Sequence, residues 1–421
     1  MLKFFRNMMA LLLVIILATA SITIAAEAQE FTPIRATFEA LDAEVEWNEA
    51  DSSITVVLGS DTFTFFANNQ QAYVNGKATT LQNRVFIEND RAFIHSADLQ
   101  YMLAQVRNFT DYPVVLGEGT AFPLDGILSM PNNTTGQVPA VVLVHGSGPQ
   151  DMDSTIFENR PFRDIAEYLA ANGIAVIRYN KRTYSHIETM HHYFTVQHET
   201  IEDAVLAADM LRADPRIDSE RIFVIGLSLG GMLAPRIHAE GGDFAGIISL
   251  AGSPRLLTDI MLSQNLMELE ALVAISEDAE EKALLTATLE ALPQAWAEQM
   301  NTAVNLPPDV AKDIPMLGAT VYYFIDMYQN PMSAFIDDIT APMLIMQGSN
   351  DLQILADVDF ILFQELLAGR ENVTFRLYEG LNHLFMPSAK TSILQLMDEY
   401  AIPARVDSQV LADIVAWIKG N

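Results

Sequence analysis

The segment Gly226-Leu227-Ser228-Leu229-Gly230 sets a serine between two glycines, each two positions away. A serine on a sharp strand-to-helix turn needs neighbours without side chains, because backbone must pass close to it. The apolar residues 222–225 read as the strand entering such a turn. Residues 231–240 read as the helix leaving it, with Pro235 marking a kink. The Leu229 N–H would then sit at a helix N-terminus, where partial positive charge favours a developing oxyanion. The pattern predicts Ser228 as a nucleophile.

A serine hydroxyl needs a base, and the base needs an acid to orient it. On this kind of elbow the acid follows the serine in the chain and the histidine follows the acid. Of eight histidines only His238 and His383 follow Ser228. His238 lies ten residues on, in the same predicted helix, and cannot swing back. His383 is therefore the predicted base, in Gly380-Leu381-Asn382-His383 after a strand over 373–378. The acid is expected after the strand 343–347, which leads into Gly348-Ser349-Asn350-Asp351. Asp351 is the choice; Asp357 and Asp359 lie further along, toward the next helix. A second oxyanion donor is expected in His145-Gly146-Ser147-Gly148-Pro149, with the Ser147 N–H first and Gly148 next. His145 is expected to shape that loop. The base must be neutral, so activity is predicted to fall below roughly pH 6.5.

These residues need a frame. Continuous apolar runs at 139–145, 174–179, 221–226 and 244–251 join 343–347 and 373–378 as strands. Helical periodicity separates them at 162–171 and 200–212, and 410–419 closes the chain as helix. Strands buried on both faces and alternating with helices mean an α/β fold with a mostly parallel sheet. Residues 254–342 break the alternation: no convincing strand appears, and 259–300 are rich in Leu, Ala, Glu and Met. A helical cap over 255–340 is predicted. Its Tyr322, Tyr323, Phe324 and Met327 are candidates for an acyl pocket, although most such residues serve helix packing.

Taken together, HGSGP, the segment Arg178-Tyr179-Asn180-Lys181-Arg182-Thr183-Tyr184, GLSLGG and LNHLF resemble the α/β-hydrolase superfamily. The likeness is to its bacterial carboxylesterases and runs from about Val138 to the C-terminus, outside the cap. Leu227 stands where the elbow often carries histidine, and Asn180 where aspartate is frequent. Neither departure removes a catalytic group. The resemblance implies hydrolysis of carboxylic esters, with small or medium acyl groups expected, through an acyl-serine, needing no metal and no cofactor. A serine peptidase or amidase shares the triad, and a binding protein with an inactive hydrolase domain is the reading from a different class. Asp351 would hold the His383 tautomer.

Two further clusters were weighed against this site. His186, His191, His192 and His198 fall within thirteen positions, without an HExxH motif, and read as a solvated loop. Arg178, Lys181 and Arg182 read as ion-pair partners in an acidic chain rather than as an anion site.

Upstream, residues 31–110 read as a small β-rich domain with strands at 53–58, 62–66, 71–74, 84–88 and 91–94. Asn75-Gly76 and Asn89-Asp90 are hairpin turns. The stretches Ala43-Glu44-Val45-Glu46-Trp47, Ala72-Tyr73-Val74-Asn75-Gly76-Lys77 and Phe86-Ile87-Glu88-Asn89-Asp90-Arg91 resemble the copper amine oxidase N-terminal-like domain of exported bacterial proteins. His95 is its lone histidine, so no copper site is implied. A spacer or cell-envelope contact module is expected.

Residues 1–28 read as a signal peptide: Lys3 and Arg6, an apolar run over 8–20 weakening to Ala26, then Ala26-Glu27-Ala28 before Gln29. Ala18-Thr19-Ala20 offers an earlier cleavage site, and an uncleaved anchor is the rival reading. The expected location is extracytoplasmic, secreted or on the envelope. Among 421 residues, 24 Lys and Arg face 54 Asp and Glu, a net charge of −30, which argues against nucleic acid as a partner. No cysteine is present, which excludes disulfides, thiolate metal sites and a cysteine nucleophile.

Overall fold

The computed structural model describes residues 31–421 apart from Ala40, Asp42, Gly59, Ser60, Gln105, Arg107 and Asn133. The expected signal peptide lies outside the described residues. The chain divides into two units between Thr110 and Asp111.

In the N-terminal unit, β2 (Glu44–Asn48), β3 (Ser53–Leu58), β4 (Asp61–Phe66), β5 (Gln71–Val74) and β6 (Lys77–Thr80) form an antiparallel meander. A second sheet has the order β1 (Phe31–Pro33), β8 (Arg91–His95), β7 (Phe86–Glu88). Asn75 and Gly76 both take positive φ, 52° and 75°, as a two-residue hairpin demands. Two helices, Ile34–Glu39 and Ser96–Ala104, were not expected in this β-rich stretch. The first buries Ile34 and Phe38, and Phe38 packs on Phe63 at 5.2 Å between ring centroids. Each is too short for periodicity to distinguish it from strand.

The second unit is built on eight strands. The first two are β9 (Phe109–Leu116) and β10 (Leu124–Pro131), followed by β11 (Val138–Val144), β12 (Ala175–Tyr179) and β13 (Ile217–Leu227). β14 (Gly246–Leu250), β17 (Met343–Gly348) and β18 (Val373–Tyr378) complete the sheet, in the order β18-β17-β14-β13-β11-β12-β10-β9. β12, β11, β13, β14, β17 and β18 run parallel, and β10 pairs antiparallel with β12. The edge strand β9 and its neighbour β10 have no counterpart among the strands read from the sequence. Pro113 inside β9 and Gly126 inside β10 dilute the strand signal, and an edge is where a sheet tolerates proline.

Alternate residues of the parallel strands feed opposite cores. Ala140, Val142 and Val144 face one side, with Ala204, Leu211, Met232 and Leu233 from helices Glu202–Ala213 and Leu229–Ile237. Val141 and Leu143 face the other, with Phe162, Ile165 and Leu169 of Pro161–Ala171 and Val410, Ile414 and Ile418 of Ser408–Gly420.

The segment between β14 and β17 carries two long helices, Leu257–Ile275 and Ala279–Val304, and a shorter one, Val321–Gln329. It also holds a hairpin of two-residue strands, β15 (Pro315–Met316) and β16 (Ala319–Thr320), where the sequence showed none. The turn is Leu317-Gly318, both at positive φ. Two-residue strands leave no periodic trace to read.

Candidate active site

The strand order fixes where chemistry can occur. β11 is followed by β12 on one side and by β13 on the other, so the connections diverge between β11 and β13. Crevices in open parallel sheets form at the carboxyl ends of strands at such a point. The residues singled out in the sequence all lie beyond carboxyl ends: Ser147 after β11, Ser228 after β13, Asp351 after β17 and His383 after β18.

Ser228 has φ 57° and ψ −117°, a conformation that costs a non-glycine residue of order 1–3 kcal/mol. Packing imposes it. Its N–H donates to Leu250 O at 2.8 Å, and its carbonyl accepts from the Met232 N–H at 3.0 Å, starting helix Leu229–Ile237. A Cβ on Gly226 would lie 2.2 Å from the Gly230 carbonyl, and one on Gly230 would lie 2.3 Å from Val144 O. Both glycines are therefore required by close backbone approach. Ser228 Oγ makes no hydrogen bond among the described residues; such contacts often tighten only in the reacting complex.

Asp351 and His383 are joined directly, His383 Nδ1 to Asp351 Oδ2 at 2.7 Å, with both side chains buried. Asp351 Oδ1 accepts from the Gln353 and Ile354 N–H groups at 2.8 and 2.9 Å. Oδ2 also accepts from Gln347 Nε2 at 2.9 Å. Four donors on one carboxylate mean that Nδ1 carries a hydrogen, so that in the neutral ring Nε2 is the acceptor.

The loops bearing these two residues are laced together. Asn350 N–H donates to Leu381 O at 2.9 Å, and Gly380 N–H to Ser349 Oγ at 2.8 Å. Asn382 Oδ1 accepts from the Leu384 and Met386 N–H groups, both at 3.0 Å, closing a turn in which Phe385 has φ 58°. Gln347 and Asn382 were overlooked in the sequence. Asn382 is adjacent to the histidine, the one signal that pointed to it. Of the other two aspartates, Asp359 is committed elsewhere: it binds Arg255 through both carboxylate oxygens, at 2.8 and 2.9 Å.

The loop after β11 lies against the serine. A Cβ on Gly146 would sit 3.2 Å from Ser228 Cβ. The Ser147 and Leu229 N–H groups have no protein acceptor among the described residues. Lys181 Nζ donates to Gly146 O at 2.7 Å, and Gln150 Nε2 donates to Ser147 O at 2.9 Å. His145 donates through Nε2 to Asp151 O at 2.9 Å. Burial, and then the Lys181 charge, hold its pKa down to about 3, so it is a neutral loop strut.

Lys181 pairs with Glu199 at 2.9 Å, Arg178 with Asp153 at 2.8 Å, and Arg182 with Asp203 and Glu202. The clustered histidines go separate ways: His186 to Pro123 O, His192 to Asp313, His198 to Thr195, and His191 stacked on Tyr193. Among the insertion residues, Phe324 and Met327 line a cavity of about 260 Å³ with Leu257, Trp296 and Met300. Tyr323 instead donates its hydroxyl to Glu199 at 2.9 Å.

The strained serine, the histidine–carboxylate pair and the parallel sheet are arranged as in the α/β-hydrolase fold, and the chain belongs to the alpha/beta hydrolase family, which matches residues 141–391. Residues 19–108 match the copper amine oxidase N-terminal domain. Esterase EstD of Thermotoga maritima is 36% identical over 296 residues, which is 70% of this chain. The match spans 65% of that relative's length. Among solved structures, Est1E from Butyrivibrio proteoclasticus matches 73% of this chain and 99% of its own, at 15% identity and a TM-score of 0.45. The Pyrococcus furiosus esterase PF2001 matches 75% and 92%, at 13% identity and the same TM-score of 0.45.

Proposed function

We propose that this protein is an exported serine hydrolase that cleaves carboxylic esters through an acyl-serine. The observation that carries the reading is the 2.7 Å His383–Asp351 pair, set at the same edge of the sheet as the strained Ser228. The 36% identity to a protein named as an esterase supports ester over amide substrates.

In this reading His383 Nε2 takes the Ser228 Oγ proton as oxygen attacks the ester carbonyl. The oxyanion is received by the Ser147 and Leu229 N–H groups. His383 passes the proton to the departing alcohol, and water repeats the cycle to free the acid. Asp351 stabilises the imidazolium and stays ionised. The substrate is a small molecule carrying an acyl ester, and the apolar cavity of the insertion is offered as the acyl site. Residues 1–28 direct export, and the N-terminal unit serves as an envelope contact.

The test is release of p-nitrophenol from acetate, butyrate and octanoate esters, with Ser228→Ala beside the wild type. Turnover should fall on the order of 10⁴-fold or more in the variant. A folded wild-type protein inactive on all three esters, or a variant as active as wild type, would overturn the reading. N-terminal sequencing of protein recovered from the medium tests export.

A further inference from the structure

The Lys181 ammonium is in an unusual place. It is 1% exposed, its partner Glu199 is 4% exposed, and its second contact is a backbone carbonyl rather than solvent. A buried Lys–Glu pair is a poor source of stability, because desolving two charges offsets most of their attraction. Its retention here calls for another account, and the identity of the carbonyl supplies one.

Gly146 C=O and Ser147 N–H belong to one planar peptide unit and point in opposite directions. Fixing the oxygen fixes the N–H. Lys181 Nζ grips that oxygen at 2.7 Å with a charged donor, which draws electron density toward the carbonyl and leaves the N–H a stronger donor. The main chain of Lys181 adds a second hold: its N–H donates to Gln150 O at 3.0 Å, and Gln150 Nε2 holds the next carbonyl, Ser147 O. Glu199 keeps the ammonium in place, and its other carboxylate oxygen accepts from Tyr323 of the insertion at 2.9 Å. Burial, with the Glu199 charge adding to it, pushes the Tyr323 phenol well above its usual range, so it acts there as a donor.

We propose that Lys181 is a positioning residue for ester hydrolysis, aligning and polarising the Gly146–Ser147 peptide so that the Ser147 N–H receives the oxyanion, with Glu199 and Tyr323 linking that peptide to the helical insertion. The inference rests on the serine-hydrolase reading above. It also argues against Lys181 as an anion site: the ammonium is buried and paired with Glu199, with a second donor on the Gly146 carbonyl.

Removing Lys181 alone would strand Glu199 as a buried unpaired charge, so the variant to make is Lys181→Met/Glu199→Gln, with Tyr323→Phe as the milder companion. In the folded double variant, kcat for p-nitrophenyl butyrate should fall about 10- to 100-fold, short of the loss of a whole oxyanion donor. KM should stay within about 2-fold. Affinity for a trifluoromethyl ketone, which captures the serine as a tetrahedral oxyanion, should fall by the same factor as kcat/KM. Binding of the matching unreactive amide should not change. Tyr323→Phe should show the same pattern at about 2- to 5-fold. A merely structural role would raise KM and weaken both ligands together, and that result overturns the proposal. So does wild-type kcat in Tyr323→Phe together with wild-type kcat, or failure to fold, in the double variant. Ser228→Ala is measured in parallel: if it is dead while the lysine variants are unimpaired, the Lys181 role alone fails; if it is active, the hydrolase reading fails first.

Discussion

His383 Nδ1 lies 2.7 Å from Asp351 Oδ2, and the second oxygen of that carboxylate is held by two backbone N–H groups. The backbone contacts fix which way an amide would turn in Asp351→Asn. Its oxygen must face the Gln353 and Ile354 N–H groups, leaving Nδ2 toward His383. Donor then opposes donor, the imidazole moves its hydrogen to Nε2, and the Nε2 lone pair that the proposed mechanism needs is lost. Turnover of p-nitrophenyl butyrate should fall about 10⁴-fold with little change in melting temperature. Steady-state kinetics beside a thermal melt checks both halves.

The elbow carries a second expectation, about packing. A Cβ on Gly230 would lie 2.3 Å from Val144 O and 2.7 Å from His145 O, both rigid backbone atoms. In Gly230→Ala the helix Leu229–Ile237 must move off β11, taking the Leu229 N–H with it. Overpacking of this kind costs about 1–3 kcal/mol. Urea unfolding should show that loss with activity reduced further than stability alone explains. A variant with wild-type midpoint and wild-type kcat would contradict the close approach.

Much of this site was legible in the sequence because chain order and local pattern carry it. Ser228 and Asp351 each follow a stretch of strand buried on both faces, residues 222–227 of β13 and all of β17, whereas His383 follows the part-exposed edge strand β18 and is reached by chain order. Lys181 and Gln347 follow from nothing local, and Asn382 only from its place beside His383. Lys181 meets the Gly146 carbonyl 35 positions away, and its reading as an ion-pair partner specifies neither Glu199 nor the peptide. Gln347 reads only as the end of the strand 343–347, yet its amide reaches across the turn to Asp351. The same holds at the sheet edge, where β9 and β10 are set by pairing that Pro113 and Gly126 conceal.

His145 links the site to pH. Burial first, then the Lys181 charge, lowers its pKa from 6.5 to about 3, so the native state holds it neutral. The unfolded chain takes up a proton near the ordinary value of about 6.5. Between those two values the unfolded state binds more protons, so stability rises with pH across the window and is lost as pH falls through it. Denaturant midpoints of the wild type should drop from pH 7.5 to pH 4.5. In His145→Gln the absolute stability differs, but this contribution to the slope should vanish. Equal slopes in the two proteins would refute the assignment.

An ion pair ties the start of the insertion to the segment after β17. Arg255 binds Asp359 through two hydrogen bonds, at 2.8 and 2.9 Å, and Asp359 is fully buried at the start of the helical segment after β17. Asp359 also accepts from the Leu355 N–H at 2.9 Å and from Ser253 Oγ at 2.5 Å, so the carboxylate ties the segment after β14 to the segment after β17. Arg255→Met removes the only cation on Asp359 among the described residues and should cost about 3–5 kcal/mol. Asp359→Asn in the same chain removes the stranded charge; its one oxygen can still accept from the Leu355 N–H while its Nδ2 donates to the Ser253 hydroxyl oxygen, so it should recover part of that loss. Chemical denaturation of wild type, the single variant and the double variant reads the sequence directly. A single variant within about 0.5 kcal/mol of wild type would place this pair among the surface ion pairs that contribute little, and would leave the insertion anchored by its apolar contacts, Ile260 and Trp296 first among them.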